Sequence, residues 1–159
     1  MSWNLVDLSR LRKIELFEHV SDNALAELVA ITKTPRYKAG DAIFRKGDPG
    51  DALYFILEGE VRISTDIDGV GEEALAFLKS GDSFGEMALV ESGATRSAHA
   101  IAGTSSQLGV IPRSEFLELM DADPKMATEI LWSFVTTLAA RLRESNKKLE
   151  FFALSNLHE

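Results

Sequence analysis

The sequence predicts an α+β, mainly β, fold: an eight-stranded antiparallel barrel or jelly roll between helical segments at the two ends of the chain. Three observations lead to this prediction. Turn pairs such as Gly-Asp recur through the middle of the 159-residue chain, short runs rich in β-branched and aromatic residues lie between them, and helical spacing of apolar residues is confined to the two ends. The length corresponds to a single domain, residues 1–159.

Residues 1–36 are expected to form N-terminal helices. Apolar residues recur there at helical spacing: Leu8, Leu11, Ile14, Leu16 and Phe17. The pair Ser21-Asp22 is typical of a helix cap and predicts a second helix over residues 24–32. Pro35 then ends the helical pattern.

Residues 37–112 are expected to form the barrel. Within residues 61–65, VRIST, apolar and polar side chains alternate, which is the pattern of a half-buried strand. About eight such short segments, separated by glycine turns, favour a small antiparallel barrel or jelly roll.

The chain returns to helical patterns after the barrel. We expect a short helix within residues 113–122 and a long one over residues 124–156, capped by Asp123 and begun by Pro124. One stripe of the long helix has the spacing of a coiled-coil seam with one polar member: Leu131, Val135, Leu138, Leu142, Ser145, Leu149 and Phe152. A second stripe is available for packing on the barrel: Ile130, Phe134 and Thr137. The first stripe therefore predicts a homodimer, with packing of that stripe on the barrel as the alternative.

Composition excludes several classes of function. The chain has no cysteine, which removes disulfides, thiolate catalysis and cysteine-zinc sites, and its three histidines, His19, His99 and His158, have no metal-ligand spacing. With 17 basic and 25 acidic residues the net charge is −8, which disfavours nucleic acid as a partner. No apolar run is long enough to span a membrane and no signal-peptide pattern is present, so we expect a cytoplasmic protein without a metal or cofactor.

The segment FGEMALVESGATRSA, residues 84–98, places the acid Glu86 and the arginine Arg96 among small residues. Gly85 permits close approach of a ligand, and a short helical turn near residues 86–90 directs main-chain N–H groups toward an anion. Arg96 can bind a phosphate with its planar guanidinium, Ser97 adds a hydroxyl, and Glu86 can accept hydrogen bonds from a sugar. These parts suit a compact nucleotide. The alternative is an ordinary salt bridge between Glu86 and Arg96.

This segment resembles the phosphate-binding cassette of cyclic nucleotide-binding domains, in which FGE, a short apolar stretch and a spacer precede R-[ST]-A. The resemblance extends to LRKIELFEHVSDNALAEL, KAGDAIFRKGDPGDALYFILEGEV and the C-terminal helices, and so to nearly the whole chain. It implies that Glu86 and the Gly85 main chain hold the ribose 2′-hydroxyl. Arg96 and Ser97 are implied to hold the cyclic phosphate, and the remaining cassette residues contribute main-chain and apolar contacts: Met87, Ala88 and Ala98.

The resemblance also implies contacts to the base. Ile63 and Leu75 fall where the family's barrel supplies apolar walls for the purine, although both also suit a plain core. Ser145 and Asn146 fall where the bacterial catabolite activator presents two polar residues of its long helix to the purine. Setting the register of the helical seam is the alternative role for Ser145.

The expected function is therefore a receptor for a cyclic nucleotide, cAMP in preference to cGMP, that signals through its C-terminal helix to an unidentified protein. A cGMP sensor, and a dimerisation scaffold with a vestigial pocket, are the alternatives. An enzyme is not expected, because an arginine and a glutamate alone supply neither a nucleophile nor a general base with a water site. A transcription factor is not expected either, because no helix-turn-helix follows the long helix in this sequence.

Overall fold

The computed structural model describes residues 7–157, so His158 lies outside the described residues. The predicted fold class is confirmed, with two four-stranded antiparallel sheets between helical ends. The strands are β1 Arg36–Tyr37, β2 Ala42–Phe44, β3 Ala52–Glu58, β4 Glu60–Ile67, β5 Gly71–Lys79, β6 Ser83–Phe84, β7 His99–Ala102 and β8 Ser106–Pro112. The helices are α1 Leu8–Arg12, α2 Asp22–Ala30, α3 Met87–Val90, α4 Arg113–Ala122 and α5 Pro124–Asn156.

The two sheets have the strand orders β1-β8-β3-β6 and β2-β7-β4-β5. Strand β3 is apolar along most of its length and is buried between β8 and β6, which pair with it on either side. Its side chains separate two core clusters: Phe55 faces the helices, while Ile56 packs with residues of the barrel interior. Strand β5 lies at one edge of the second sheet and is largely exposed. Strand β6 leads into the segment that was predicted to bind a ligand.

The β4–β5 hairpin contains an irregularity that the alternating pattern of residues 61–65 does not reveal. Ile63 pairs with Ala76 but the next residue, Ser64, pairs with Ala74, so Leu75 is the extra residue of a β-bulge. Ser64 is fully buried although the pattern predicted an outward position, and its hydroxyl donates to Oε1 of Glu72 at 2.7 Å.

The first N-terminal helix is shorter than the apolar spacing predicted, and the second begins and ends two residues earlier than predicted. Helix α1 ends at Arg12 and a separate 3₁₀ turn follows at Glu15–Phe17, because the Glu15 N–H donates to Gly81 O at 3.1 Å instead of continuing the helix. As expected, Ser21 caps α2, accepting a hydrogen bond from the Ala24 N–H at 3.3 Å.

Helix α5 has one face on the core and another in solvent. Asp123 caps its first turn by accepting from the Met126 N–H at 3.1 Å. The stripe expected to pack on the domain is buried: Ile130, Phe134 and Thr137. The predicted seam is exposed over most of its length, as Leu142 (63% exposed) and Leu149 (66% exposed) illustrate. None of the helices within residues 7–157 is both long and apolar enough to cross a membrane.

Candidate ligand-binding site

A cavity of about 250 Å³ opens where β6 and the 84–98 segment meet the second sheet. Such a volume is slightly below that of typical small-molecule sites, about 300–1,000 Å³. Most of the residues that line it are small or apolar, and a few are polar. The full lining is Phe44, Gly50, Ile63, Ser83, Phe84, Gly85, Glu86, Met87, Ala88, Glu91, Ala94, Thr95, Arg96, Ser97 and Ala98. The sequence segment that combined small residues with one arginine is thus folded around a concave surface.

Gly85 sets the path of the chain at the entrance to α3. Its φ of +77° lies in the left-handed region, and a Cβ at this position would lie 2.6 Å from Nη1 of Arg96. The Ala88 N–H is used within the turn, since it donates to Gly85 O at 3.1 Å. The main-chain N–H groups of Glu86 and Met87 have no acceptor among residues 7–157, and therefore remain available to an anion.

Arg96 is 7% exposed and is held by contacts that leave part of its guanidinium free. Nη2 donates to Ala52 O at 2.9 Å, and the guanidinium carbon lies 4.3 Å from the centroid of the Phe44 ring and 5.5 Å from that of Tyr54. Nε is buried and has no acceptor within the described part of the chain. A buried donor without a partner is unfavourable, and a ligand acceptor would relieve this.

The main chain of Arg96 is fixed by the loop 45–50, which we call the clamp loop. The Arg96 N–H donates to Asp48 O at 2.8 Å, and Arg96 O accepts from the Gly47 N–H at 2.8 Å. The Gly50 N–H donates to Ala94 O, also at 2.8 Å. The guanidinium is therefore anchored at both ends, by its main chain and by the Ala52 carbonyl.

The positive charge of the site comes from Arg96. No ion pair joins Glu86 to Arg96 in the region that the structure describes, so the salt-bridge alternative is not observed. Burial lowers the pKa of the Arg96 guanidinium, an effect that Tyr54 and Asp51 oppose, and an arginine in such surroundings keeps its charge. Burial also raises the pKa of the Tyr54 phenol, which is therefore neutral near pH 7. The cavity thus presents a fixed positive charge with no carboxylate bonded to it.

Most of the residues predicted from the sequence come together at this cavity: Gly85, Glu86, Met87, Ala88, Arg96, Ser97, Ala98 and Ile63. Three do not line it. Leu75, the extra residue of the bulge, is 61% exposed on the edge strand β5. Ser145 and Asn146 are exposed residues of α5, in its C-terminal half.

Several residues at the site had not been identified from the sequence. Phe44 and Tyr54 lie in apolar strand runs and looked like ordinary core residues, yet their rings flank Arg96. Ser83 lines the cavity, and its hydroxyl accepts a hydrogen bond from Nη2 of Arg141 on α5 at 2.9 Å. A polar residue directly before FGE was the only available signal for Ser83, and Arg141 gave none. Together, Ser83 and Arg141 join the cavity to the long helix.

Within residues 7–157 no cluster of three or more histidine, aspartate or glutamate side chains is arranged to hold a metal ion. What the arrangement can do is bind a ligand: it offers one buried cation, free main-chain donors, the carboxylates of Glu86 and Glu91 and a small apolar wall. These features define a jelly-roll domain with a binding site for a small anionic ligand.

A family model described as the cyclic nucleotide-binding domain matches residues 34–123, more than half of the chain. The protein belongs to the cyclic nucleotide-binding domain family. A crystal structure of a cyclic nucleotide-binding domain from Methylobacillus flagellatus superimposes with a TM-score of 0.75 at 30% identity, covering 89% of this chain and 79% of that one.

Two sequence relatives contain a similar domain in longer proteins. The chain is 37% identical over 117 residues to the Cyclic AMP receptor protein of Thermus thermophilus, covering 74% of this chain and 52% of that protein. It is 35% identical over 144 residues to Glutaminase 1 of Bradyrhizobium diazoefficiens, covering 91% of this chain and 22% of that protein. The chain therefore spans about half, or about a fifth, of the length of these curated relatives.

Proposed function

We propose that this protein is a cytoplasmic receptor module, and not an enzyme, that binds a 3′,5′-cyclic nucleotide, cAMP in preference to cGMP, and signals through α5. The observation that carries the proposal is Arg96. This residue lines the cavity, and its guanidinium is buried, has no carboxylate partner among the described residues and retains an unpartnered Nε.

The cyclic phosphate is assigned to Arg96 and Ser97. Nη2 is bonded to Ala52 O, so Nε and Nη1 are the guanidinium donors left for phosphate oxygens. The free N–H groups of Glu86 and Met87 supply further donors, and the singly charged phosphate matches the single cation.

The ribose is assigned to Glu86 and the main chain of Gly85. The Glu86 carboxylate lines the cavity and accepts no hydrogen bond from another described residue, so it is available as an acceptor for a sugar hydroxyl. Small residues of the same lining, such as Gly50, allow a ring to approach the main chain. A phosphate donor set beside a hydroxyl acceptor is the combination that a nucleotide requires.

The base is assigned to Ile63 on one side and to Ser145 and Asn146 on the other. The cavity is small, and neither Ser145 nor Asn146 lines it. We therefore propose that a second copy of the chain supplies these two residues across a dimer formed by α5. The exposed apolar seam of α5 supports this arrangement, because a coiled coil would cover side chains such as Leu142 and Leu149. The preference for cAMP rests on Ser145 and Asn146, which can hydrogen-bond to adenine.

Signalling through α5 is supported by the hydrogen bond between Arg141 and Ser83. A ligand that changes the surroundings of Ser83 changes the energy of that contact and so biases the position of the helix. The downstream partner would then read the position of α5 in the dimer.

The test is an isothermal titration of the purified full chain with cAMP and with cGMP, after mass spectrometry has shown that no nucleotide is bound. We expect a micromolar or tighter dissociation constant for cAMP and weaker binding of cGMP. The matched control ligand is 5′-AMP, which has the same base and sugar but an open, more highly charged phosphate. Tighter binding of cGMP would reverse the proposed selectivity. No binding of either cyclic nucleotide would overturn the receptor and favour the dimerisation scaffold.

A further inference from the structure

His99 is a buried histidine of β7, three residues after Arg96 in the chain, and it is 9% exposed. Its two ring nitrogens contact different parts of the molecule. Nδ1 lies 3.0 Å from the main-chain nitrogen of Lys46, in the clamp loop, and Nε2 lies 2.8 Å from Oδ2 of Asp66 on β4. The ring therefore bridges the clamp loop and the β4–β5 hairpin.

The hydrogen bonds fix the protonation state that this geometry requires. A main-chain N–H can only donate, so Nδ1 of His99 must accept from Lys46 and carries no proton. Nε2 then carries the proton and donates to the Asp66 carboxylate. Protonation at Nδ1 would set two donors against each other and remove the contact with the clamp loop.

The clamp loop in turn fixes Arg96. It begins one residue before Lys46, and its next two residues, Gly47 and Asp48, bond to the carbonyl and the N–H of Arg96. His99 thus holds the loop that holds the anion-binding residue, although it does not line the cavity itself.

We propose that His99 is a positioning residue for Arg96, and that protonation of its ring releases the clamp loop and weakens binding of the anionic ligand. The proposal rests on the function proposed above as far as the ligand is concerned. The release of the loop can be observed without any ligand.

The charged groups that face the ring determine the direction of the effect. Asp66 contacts it directly from β4, and Glu72 on β5 acts on it electrostatically while bonded to Arg62 and Ser64. Both groups are carboxylates, so neither competes with the Lys46 N–H as a donor to the ring. Protonation of Nδ1 therefore leaves the bond from Nε2 to Asp66 in place while it breaks the contact with Lys46. Imidazole is the side chain suited to such a change between about pH 5 and 8.

The first measurement is the dissociation constant of cAMP between about pH 8 and about pH 5.5, a range in which imidazole titrates. One lost hydrogen bond predicts that affinity falls about threefold to tenfold on acidification. In His99→Asn an amide oxygen can replace Nδ1 as acceptor and does not titrate, so affinity should stay near the value at high pH throughout. His99→Leu offers no acceptor and should bind weakly at every pH.

His19→Asn is the matched control, because His19 is an exposed histidine of the N-terminal segment. It should keep the pH dependence of the parent. A flat profile in the parent, or an unchanged pH dependence in His99→Asn, would overturn the proposal.

The second measurement uses the nucleotide-free protein and follows amide hydrogen exchange of Lys46, Gly47 and Arg96 by NMR. After correction for the intrinsic pH dependence of exchange, protection of these amides should fall on acidification in the parent and be low in His99→Leu at every pH. Unchanged protection would refute the role of His99. If cAMP does not bind but protection changes as described, the receptor hypothesis fails and the tie between His99 and the clamp loop stands.

Discussion

Replacing Arg96 with alanine removes the one buried cation of the cavity, and the structure allows the effect on binding to be worked out. Nη2 already donates to Ala52 O at 2.9 Å, so two nitrogens, Nε and Nη1, are left for the ligand. Each charge-assisted hydrogen bond contributes about 1.5–3 kcal/mol net. Two such bonds correspond to at least about 3 kcal/mol, and since about 1.4 kcal/mol is a tenfold change, affinity for cAMP should fall at least about 100-fold.

The same substitution should change the stability of the nucleotide-free protein much less. Ala52 O loses its partner and the contact with Phe44 is lost, at about 0.5–2 kcal/mol for a cation over an aromatic ring. The substitution also removes the desolvated guanidinium charge and the buried Nε donor that has no acceptor. Because both are unfavourable in the folded protein, their removal offsets part of the lost stability. We therefore expect a small change in melting temperature and a large change in affinity.

The assay is calorimetric titration of cAMP into the parent, Arg96→Ala and Arg96→Lys, with a thermal melt of each protein. Lysine keeps the charge but cannot form the planar fork, so its affinity should lie between the other two. If Arg96→Ala binds cAMP within about threefold of the parent, which is less than 1 kcal/mol, the assignment of the phosphate to Arg96 is wrong.

Three further perturbations test separate parts of the site. Gly85→Ala should lower both stability and cAMP affinity, because its Cβ would lie 2.6 Å from a guanidinium nitrogen. Its control is Gly69→Ala, which has a similar φ of +79° but open space around it and should lower stability alone, so equal cAMP affinities of the two variants in calorimetry would contradict this. Ile63→Ala should weaken cAMP binding severalfold while Leu75→Ala, at the exposed bulge, leaves it unchanged, and the reverse order in a titration would mean that the base lies against β5. Leu142→Glu should give a monomer in sedimentation velocity, and an unchanged mass would count against a dimer through the exposed seam of α5.

The larger elements of the fold could be predicted because their signals are local. Asp123 before Pro124 marks the start of α5 whatever surrounds it, and the stripe containing Ile130 and Phe134 has the helical spacing of a buried face. The break between α1 and the 3₁₀ turn could not be predicted, because it depends on a hydrogen bond from Glu15 to Gly81, residues far apart in the sequence. The bulge at Leu75 is hidden for the same reason: which residue is extra depends on the register of the partner strand.

The candidate site could likewise be predicted where its signals are local and not where they depend on distant parts of the chain. The cassette could be found because Gly85, Glu86 and Arg96 lie within fifteen residues, 84–98, and each has a chemical reason to be there. The groups that hold Arg96 come from elsewhere in the chain: the ring of Phe44 on β2 and the carbonyl of Ala52 on β3. Every residue has a main-chain carbonyl, so the sequence does not show which one will accept a hydrogen bond. A phenylalanine in an apolar strand cannot be distinguished by sequence from an ordinary core residue.

The position of Arg96 therefore depends on the whole barrel and not on the cassette alone. Its guanidinium is hydrogen-bonded to a carbonyl of β3 and packs against aromatic rings of β2 and β3. Its main chain is hydrogen-bonded to the clamp loop that follows β2. An arginine held in this way loses little conformational entropy when it binds a ligand, because its rotamer is already fixed. It follows that substitutions at Phe44, outside the cassette, should weaken ligand binding by raising that entropic cost, even though they remove no donor to the phosphate.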